Sequence, residues 1–360
     1  MKEAKYQKIA NLIKQSILNN EYKIGDMLPF ENQLQDNFKV SRHTVREAIN
    51  VLVNEGYVQK KKGVGTFVID EYTKSNSMDN KNIGVIVTYM SDYIFPNIIR
   101  GIEQVLKEKG YSLILSSTNN NPVEERQTLE LMIQQNVSGI IIEPTKSNQF
   151  NVNLSCYSLL KKKKIPFLFI NAKYQEMDEP SVCVDDVQSG FLATNHLIEN
   201  GHENIVIITK EDDIQGKFRM KGYIKALELN KMIINDENII LYNTENQNEK
   251  IMHLTSKIIN KEIGCTSIVT YNDQIAYIIM NELKKNNIKV PEDISIVGED
   301  NSSLSRLENV SLTTTNHPQE ELGQIAAHNL IRLINNVLPD NEKETILKTH
   351  LIKRSTVKSI

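Results

Sequence analysis

Arg42 and Arg46 stand one helical turn apart, with Ser41 just before them and His43, Thr44 and Asn50 close by. These side-chain types read nucleic acid: Arg bonds two guanine edge acceptors at once, Asn does the same with adenine, and Ser and Thr hydroxyls bind phosphate. Further on, Lys60, Lys61 and Lys62 run into Gly63-Val64-Gly65, a cationic hairpin tip with no bulk to hinder its approach to a phosphate backbone. A second set has different chemistry. Asp92, Tyr93, Phe95, Glu143, Asn171, Asp185, Asn272, Asp300 and His317 fall at strand ends or crossovers, and Arg219 falls on a helix. Polar groups that donate and accept, beside aromatic faces, suit the hydroxyls and C–H faces of a sugar.

The first set needs a compact helical frame. Ile9, Leu12, Ile13 and Ile17 recur at helical spacing over residues 4–19, and Pro29 opens a second helix with Leu34 and Phe38 inward. Ser41 is a good N-cap for a third helix, in which Val45, Ala48, Ile49, Leu52 and Val53 form an apolar stripe that Gly56 ends. Arg42 and Arg46 therefore lie on its exposed face. Tyr57-Val58-Gln59 and Thr66 to Ile69 read as two strands around the basic turn. A strand follows Gly63 and Gly65, where a nucleotide-binding loop would lead into a helix, so a phosphate loop is excluded.

The second set needs an open αβ sheet, whose strand-end loops gather ligand-binding groups. Residues 83–89, 111–116, 139–143, 166–171, 204–209, 267–271 and 294–297 are strand candidates, several of them unbroken Ile/Val runs. Helix-length segments such as 96–109 and 276–285 separate them, the rhythm of a parallel sheet covered on both faces. Two blocks of similar length, before and after Asp185, predict two lobes facing a cleft. The expected boundaries are 1–70 for the head, 71–82 for a linker and 83–360 for the body. Within the body, lobe 1 is expected over about 83–184 and 317–345, and lobe 2 over about 185–316 and 346–360.

Composition narrows the function classes. The 360 residues exceed one ordinary core, and the net charge of −3 alone argues against a nucleic-acid binder. The distribution reverses that reading: residues 1–70 carry 11 Lys and Arg against 8 Asp and Glu, while the whole chain carries 42 against 45. Cys156, Cys183 and Cys265 are scattered, without metal-ligand spacing, and no metal or cofactor is expected. The first 20 residues lack a signal-peptide core and no run spans a membrane, so the expected compartment is the cytoplasm. Asp185-Asp186 and Asp212-Asp213 are adjacent carboxylates that point apart, and no nucleophile motif occurs, so an enzyme is not expected.

The head, through Leu28 to Leu34, Val40 to Ala48, Glu55 to Val58 and Gly63 to Val68, resembles the GntR winged helix-turn-helix over nearly all of residues 4–69. That resemblance implies that Glu31, Ser41, Arg42, His43, Thr44 and Arg46 contact operator DNA, with Gly65 and Thr66 in the wing, beside Lys61 and Lys62 of the basic turn. Phe30 departs from the family, which has Ser or Thr as the helix cap there, so another group must supply that bond. The body resembles the LacI/GalR effector domain, similar to periplasmic sugar-binding proteins, through Asn82 to Val87, Gly139 to Ile141, Val184 to Asp186, Arg219 to Tyr223, Asn272 to Ala276 and Val290 to Gly298. By that resemblance Glu143, Asn171, Arg219, Asn272, Asp300 and His317 align best with ligand contacts, although Glu299 and Asn301 stand where an aromatic residue and an Asp are usual. The implied fold is an α+β winged helix-turn-helix joined to a bilobed α/β domain with two parallel sheets.

The pairing of such a head and body, with Ser91 to Pro96 and Ser117 to Pro122, resembles the arabinose-responsive repressors of Gram-positive bacteria. It implies a homodimer on double-stranded operator DNA, without a membrane partner, released when a sugar, L-arabinose, binds. Another sugar or metabolite is the alternative effector, and a transport-type binding protein, which would carry a signal peptide, is the alternative class. A bland reading exists for each residue: Arg42 and Arg46 as a solvated face, Asp185 and Asp273 as helix caps, His317 as a satisfied hinge residue.

Overall fold

A computed structural model describes residues 5–18, 21–54, 56–61, 63–69, 81–90, 93–307 and 311–360. The chain divides into two compact units, residues 1–80 and 81–360. Residue 70 of the predicted head, residues 71–80 of the predicted linker, Lys62 of the wing and Asp92 lie outside the described residues.

The head contains α1 (Lys5–Leu18), α2 (Glu31–Phe38) and α3 (Arg42–Asn54), then an antiparallel pair, β1 (Val58–Lys61) and β2 (Gly65–Val68). The apolar stripe of α3 does what its spacing predicts: Val45, Ala48, Ile49 and Leu52 are buried with Ile9, Ile13 and Leu34, while Val53 is partly exposed. Gly56 ends α3 at φ 86°, a conformation that favours glycine. At the start of α2, the Phe30 backbone N–H donates to Gln33 Oε1 at 3.0 Å. That is the half of a capping box that needs no side chain at Phe30, and it answers the missing Ser or Thr.

In the body, β3 (Asn82–Val87), β4 (Ser112–Ser117), β5 (Gly139–Ile142), β6 (Phe167–Ile170) and β7 (Ser181–Val184) build the first sheet. Helices α4 (Phe95–Glu108), α5 (Pro122–Gln134) and α6 (Leu154–Lys162) alternate with its strands. The chain then crosses into the second lobe as α7 (Asp186–Glu199), β8 (Ile205–Lys210), α8 (Ile214–Leu229), β9 (Ile239–Tyr242), α9 (Gln247–Ile259), β10 (Ser267–Thr270), α10 (Asp273–Lys285), β11 (Ser295–Asp300) and β12 (Thr313–Asn316). It returns as α11 (Gln319–Ile334) and β13 (Glu344–Leu347), then ends in the second sheet with β14 (Leu351–Ile352). The sheet orders are β13-β7-β6-β5-β3-β4 and β14-β12-β11-β10-β8-β9, parallel except for β14 against β12.

All seven predicted strands form, within a few residues at each end. The reading missed β7, β9, β12, β13 and β14. Thr313 to Thr315 are polar and buried, so hydropathy hid an internal strand whose β-branched threonines fit a pleated sheet. Ile346 and Leu347 stay with the first sheet because β13 pairs with β7, slightly beyond the expected lobe boundary.

Each lobe is tightened by a glycine-mediated helix crossing. In the first lobe, a Cβ on Gly323 of α11 would lie 2.1 Å from the Ile98 carbonyl oxygen, and one on Gly101 of α4 would lie 2.1 Å from that of Glu320. In the second, a Cβ on Gly190 of α7 would lie 2.1 Å from the Arg219 carbonyl oxygen, and one on Gly222 of α8 would lie 2.2 Å from that of Val187. Gly323→Ala forces α4 and α11 apart, an overpacking that costs about 1–3 kcal/mol, measurable by chemical denaturation. A cost near zero would contradict this close approach.

Candidate DNA-reading surface and ligand cleft

On the head, Ser41 caps α3 as predicted, with its Oγ accepting from the Thr44 N–H at 3.3 Å. Glu31, at the start of α2, takes Arg42 Nε at 3.0 Å and Arg46 Nε at 3.2 Å on its two carboxylate oxygens. Partial burial pushes the Glu31 carboxyl up, but the two guanidinium groups outweigh that and hold it below its ordinary value. Both Arg side chains remain mostly exposed, at 64% and 60%, so they are oriented without being hidden. Six of the predicted residues share one groove, whereas Ser41 and Thr44 line a separate hollow with Lys39 and Val40. A groove of about 470 Å³ between α3 and the wing is lined by Glu31, Arg42, Arg46, Lys61, Gly65 and Thr66. His43 is exposed on the same helix. Asn50 Oδ1 accepts from Lys60 Nζ at 2.8 Å, tying the wing to α3.

In the body, a cavity of about 270 Å³ opens between the lobes at the carboxyl ends of the strands. Its floor is Arg219, held by α8 and fully buried. Arg219 Nε lies 2.9 Å from Asp186 Oδ1 and 3.0 Å from Glu299 Oε2, and Nη2 lies 3.0 Å from Asp300 Oδ1. The guanidinium also donates to the Tyr271 carbonyl oxygen and packs against the Tyr271 ring at 4.9 Å. Burial pushes the Asp186 and Glu299 carboxyls up, and Arg219 draws them back only in part. From the first lobe, Tyr93 adopts φ 65° and donates its hydroxyl to Asp300 Oδ2 at 2.7 Å, while accepting from the Asp273 N–H at 3.1 Å.

At the other end, Glu143 ends the strand-to-loop turn after β5. One of its oxygens accepts from the Thr88 N–H and hydroxyl at 2.8 and 2.5 Å, and the other from Asn171 Nδ2 at 2.8 Å. Among the described residues no cation lies at bonding distance from it, and burial pushes its carboxyl up to about 7 despite these bonds.

Six of the predicted residues, Tyr93, Phe95, Glu143, Arg219, Asn272 and Asp300, line this cavity. Asn272 also caps α10 through Oδ1 and the Ile275 N–H at 3.0 Å. Three others stand apart. Asn171 buttresses Glu143 but lines a separate cavity of about 250 Å³, as does Asp185, which caps α7 by accepting from the Gln188 N–H at 2.9 Å. His317 is buried outside the lining, with no hydrogen-bond partner for either ring nitrogen among the described residues, and burial pushes it down to about 4. Neither Asp185 nor His317 touches the main cavity, because their side chains belong to the crossovers behind it.

Sequence reading missed Lys210, Asp213, Gln215, Tyr89, Tyr242 and Tyr271, which line the same space. Lys210 Nζ sits 3.7 Å from Asp212 and 3.9 Å from Asp213, and Tyr271 donates to Asp213 Oδ2 at 2.9 Å. The strand-end rule would have found Lys210 had β8 been carried one residue further, and Tyr242 had β9 been recognised. The cavity thus offers aromatic faces and many acceptors, with its two cations already countered by carboxylates. That suits a neutral, hydroxyl-rich ligand.

Two stretches match known families: residues 5–68 match the bacterial regulatory proteins of the gntR family, and residues 194–357 a periplasmic binding protein-like domain. The arabinose metabolism transcriptional repressor of Geobacillus stearothermophilus is 40% identical over 358 residues, 99% of this chain and 98% of that relative. The repressor of the same name from Halalkalibacterium halodurans is 41% identical over 360 residues, 98% of this chain and 96% of that relative. Among solved structures, a LacI family transcriptional regulator from Enterococcus faecium with bound ribose is 27% identical at a TM-score of 0.67, covering 78% of this chain and 100% of its own.

The Glu143 carboxyl gives a pH test. Its folded value, about 7, exceeds its ordinary 4.5, so the folded state holds a proton that the unfolded state releases. Wild type should therefore lose stability relative to Glu143→Gln as pH rises from 4.5 to about 7, with no further divergence above that. Denaturation profiles that stay parallel across this range would contradict it.

Proposed function

The chain belongs to the family of arabinose metabolism transcriptional repressors, and on that premise we propose that L-arabinose in its interlobe cavity releases it from operator DNA. The family accords with a regulator in place of an enzyme. The observation that carries the effector reading is the cavity itself: about 270 Å³, ringed by tyrosines and hydrogen-bonding groups, with Arg219 and Lys210 each paired to carboxylates. That volume lies at the small end for ligand sites and fits a monosaccharide better than an oligosaccharide. An anionic sugar would meet Glu143, Asp213 and Asp300 without a free cation to receive it.

The cavity-lining residues Tyr93, Phe95, Glu143, Arg219, Asn272 and Asp300 are the proposed effector contacts, with Asn171 supporting Glu143. On the head, Arg42 and Arg46 read base edges, Ser41 and Thr44 bind phosphate, and Lys61, Gly65 and Thr66 bring the wing to the backbone. The protein works in the cytoplasm as a homodimer whose two heads engage two half-sites. Operator DNA favours one arrangement of the dimer and sugar favours a closed one, so each ligand weakens the other.

Calorimetry with L-arabinose, D-xylose, D-ribose and D-glucose tests this reading on wild type and on Arg46→Ala. L-arabinose should bind selectively and equally to both proteins, while Arg46→Ala loses operator binding by about tenfold or more. Selective binding of a different sugar would overturn the effector. Loss of sugar binding together with DNA binding would overturn the separation of the two sites.

A further inference from the structure

The loop after β5 in the first lobe reaches the first turn of α8 in the second. Its base is fixed within its own lobe. Tyr174 donates to the buried carboxylate of Glu125 at 2.6 Å and accepts from the Thr145 N–H at 2.9 Å, and Asn120 Oδ1 accepts from the Lys146 N–H at 2.8 Å. Beyond that base, the tip makes specific bonds across the lobes. Ser147 donates its hydroxyl to Asp213 Oδ1 at 2.7 Å and accepts from the Ile214 N–H at 2.9 Å. Asn148 Nδ2 donates to the Glu211 carbonyl oxygen at 2.8 Å and Lys146 pairs with Glu245, while beside the tip Asn120, from the loop after β4, donates to Thr244 Oγ1 at 2.6 Å.

Ile214 is the first residue of α8, so its N–H has no partner within the helix. Asp213, the N-cap of α8, takes the next amide, the Gln215 N–H, at 3.4 Å and accepts from the Tyr271 hydroxyl at 2.9 Å, which leaves the Ile214 N–H unclaimed by its own helix cap. Among the described residues, the acceptor comes from the opposite lobe. Asp213 also lines the effector cavity, and Arg219 lies further along the same helix. The hydroxyl of Ser147 thus has both its donor and its acceptor capacity satisfied by one helix terminus, and only while the two lobes are together.

We propose that Ser147 is a positioning residue that couples sugar binding to lobe closure, by capping α8 from the opposite lobe. The proposal rests on the reading that a sugar closes this cleft. Separation of the lobes leaves the Ile214 N–H and one oxygen of Asp213 without these partners, so the cap favours the closed, sugar-holding arrangement without touching the sugar.

Two measurements test it. Ser147→Ala should weaken L-arabinose binding about tenfold while sugar-free operator affinity is unchanged, and Ser147→Thr, which keeps the hydroxyl, should restore it. Equal sugar affinity in wild type and Ser147→Ala overturns the proposal, even if the variant melts lower. The second measurement needs no sugar. In the double variant Asn148→Cys with Glu211→Cys, oxidation should lock the lobes and weaken binding to operator DNA selected from a random-sequence library with wild-type protein, and reduction should reverse it. Failure to cross-link, or a cross-link that leaves operator affinity unchanged, overturns the proposal. Failure of wild type to bind L-arabinose overturns only the effector reading, and the cross-linked protein then decides the role of the loop.

Discussion

A guanidinium stays charged even out of water, so it can be buried at tolerable cost only where fixed carboxylates replace the hydration it loses. Arg219 meets this requirement with Asp186, Glu299 and Asp300, all within 3.0 Å. These groups come from α8, α7 and β11, so the charge cluster sets how the second lobe is assembled. Gly190 and Gly222 are part of the same constraint, since a side chain at either would push α7 away from α8 and Asp186 away from Arg219. The cluster also fixes where the first lobe docks, because Tyr93 reaches across to Asp300.

Two kinds of interlobe contact follow from that frame. Tyr93 meets Asp300 inside the cavity, where a ligand competes with it or adds to it. Ser147 meets Asp213 and Ile214 at the start of the helix that carries Arg219. Both contacts end on groups whose geometry the buried charges already hold, so small changes in the cavity move rigid elements instead of being absorbed locally. The departure of Glu299 from the aromatic residue usual in the body's family has a physical use here: it supplies a third carboxylate to Arg219 and accepts from the Ser189 hydroxyl at 2.6 Å.

The head was almost entirely legible in the sequence, because three short helices with a clean apolar stripe leave Arg42 and Arg46 only one face. What spacing did not reveal is that Glu31 holds both arginines, since only the turn between α2 and α3 brings residues 31, 42 and 46 together. In the body, Ile/Val runs announced the strands that are buried on both faces, and polar β12 escaped. The strand-end rule found Glu143, Asn272 and Asp300 but swept in Asp185, which caps a helix, and passed over Lys210 and Tyr242, whose strands were cut short or unseen. Ring-lined walls form from residues far apart in the chain, which no local pattern records.

The central claim is that sugar and operator DNA favour different arrangements of one molecule. Linkage makes that claim quantitative: the factor by which saturating sugar weakens operator binding must equal the factor by which saturating operator weakens sugar binding. Measuring both dissociation constants in both conditions, by fluorescence anisotropy for DNA and calorimetry for L-arabinose, is the most direct test. The account predicts matching factors, about 5–150-fold for an ordinary allosteric coupling. A sugar affinity that is the same with and without operator would contradict it.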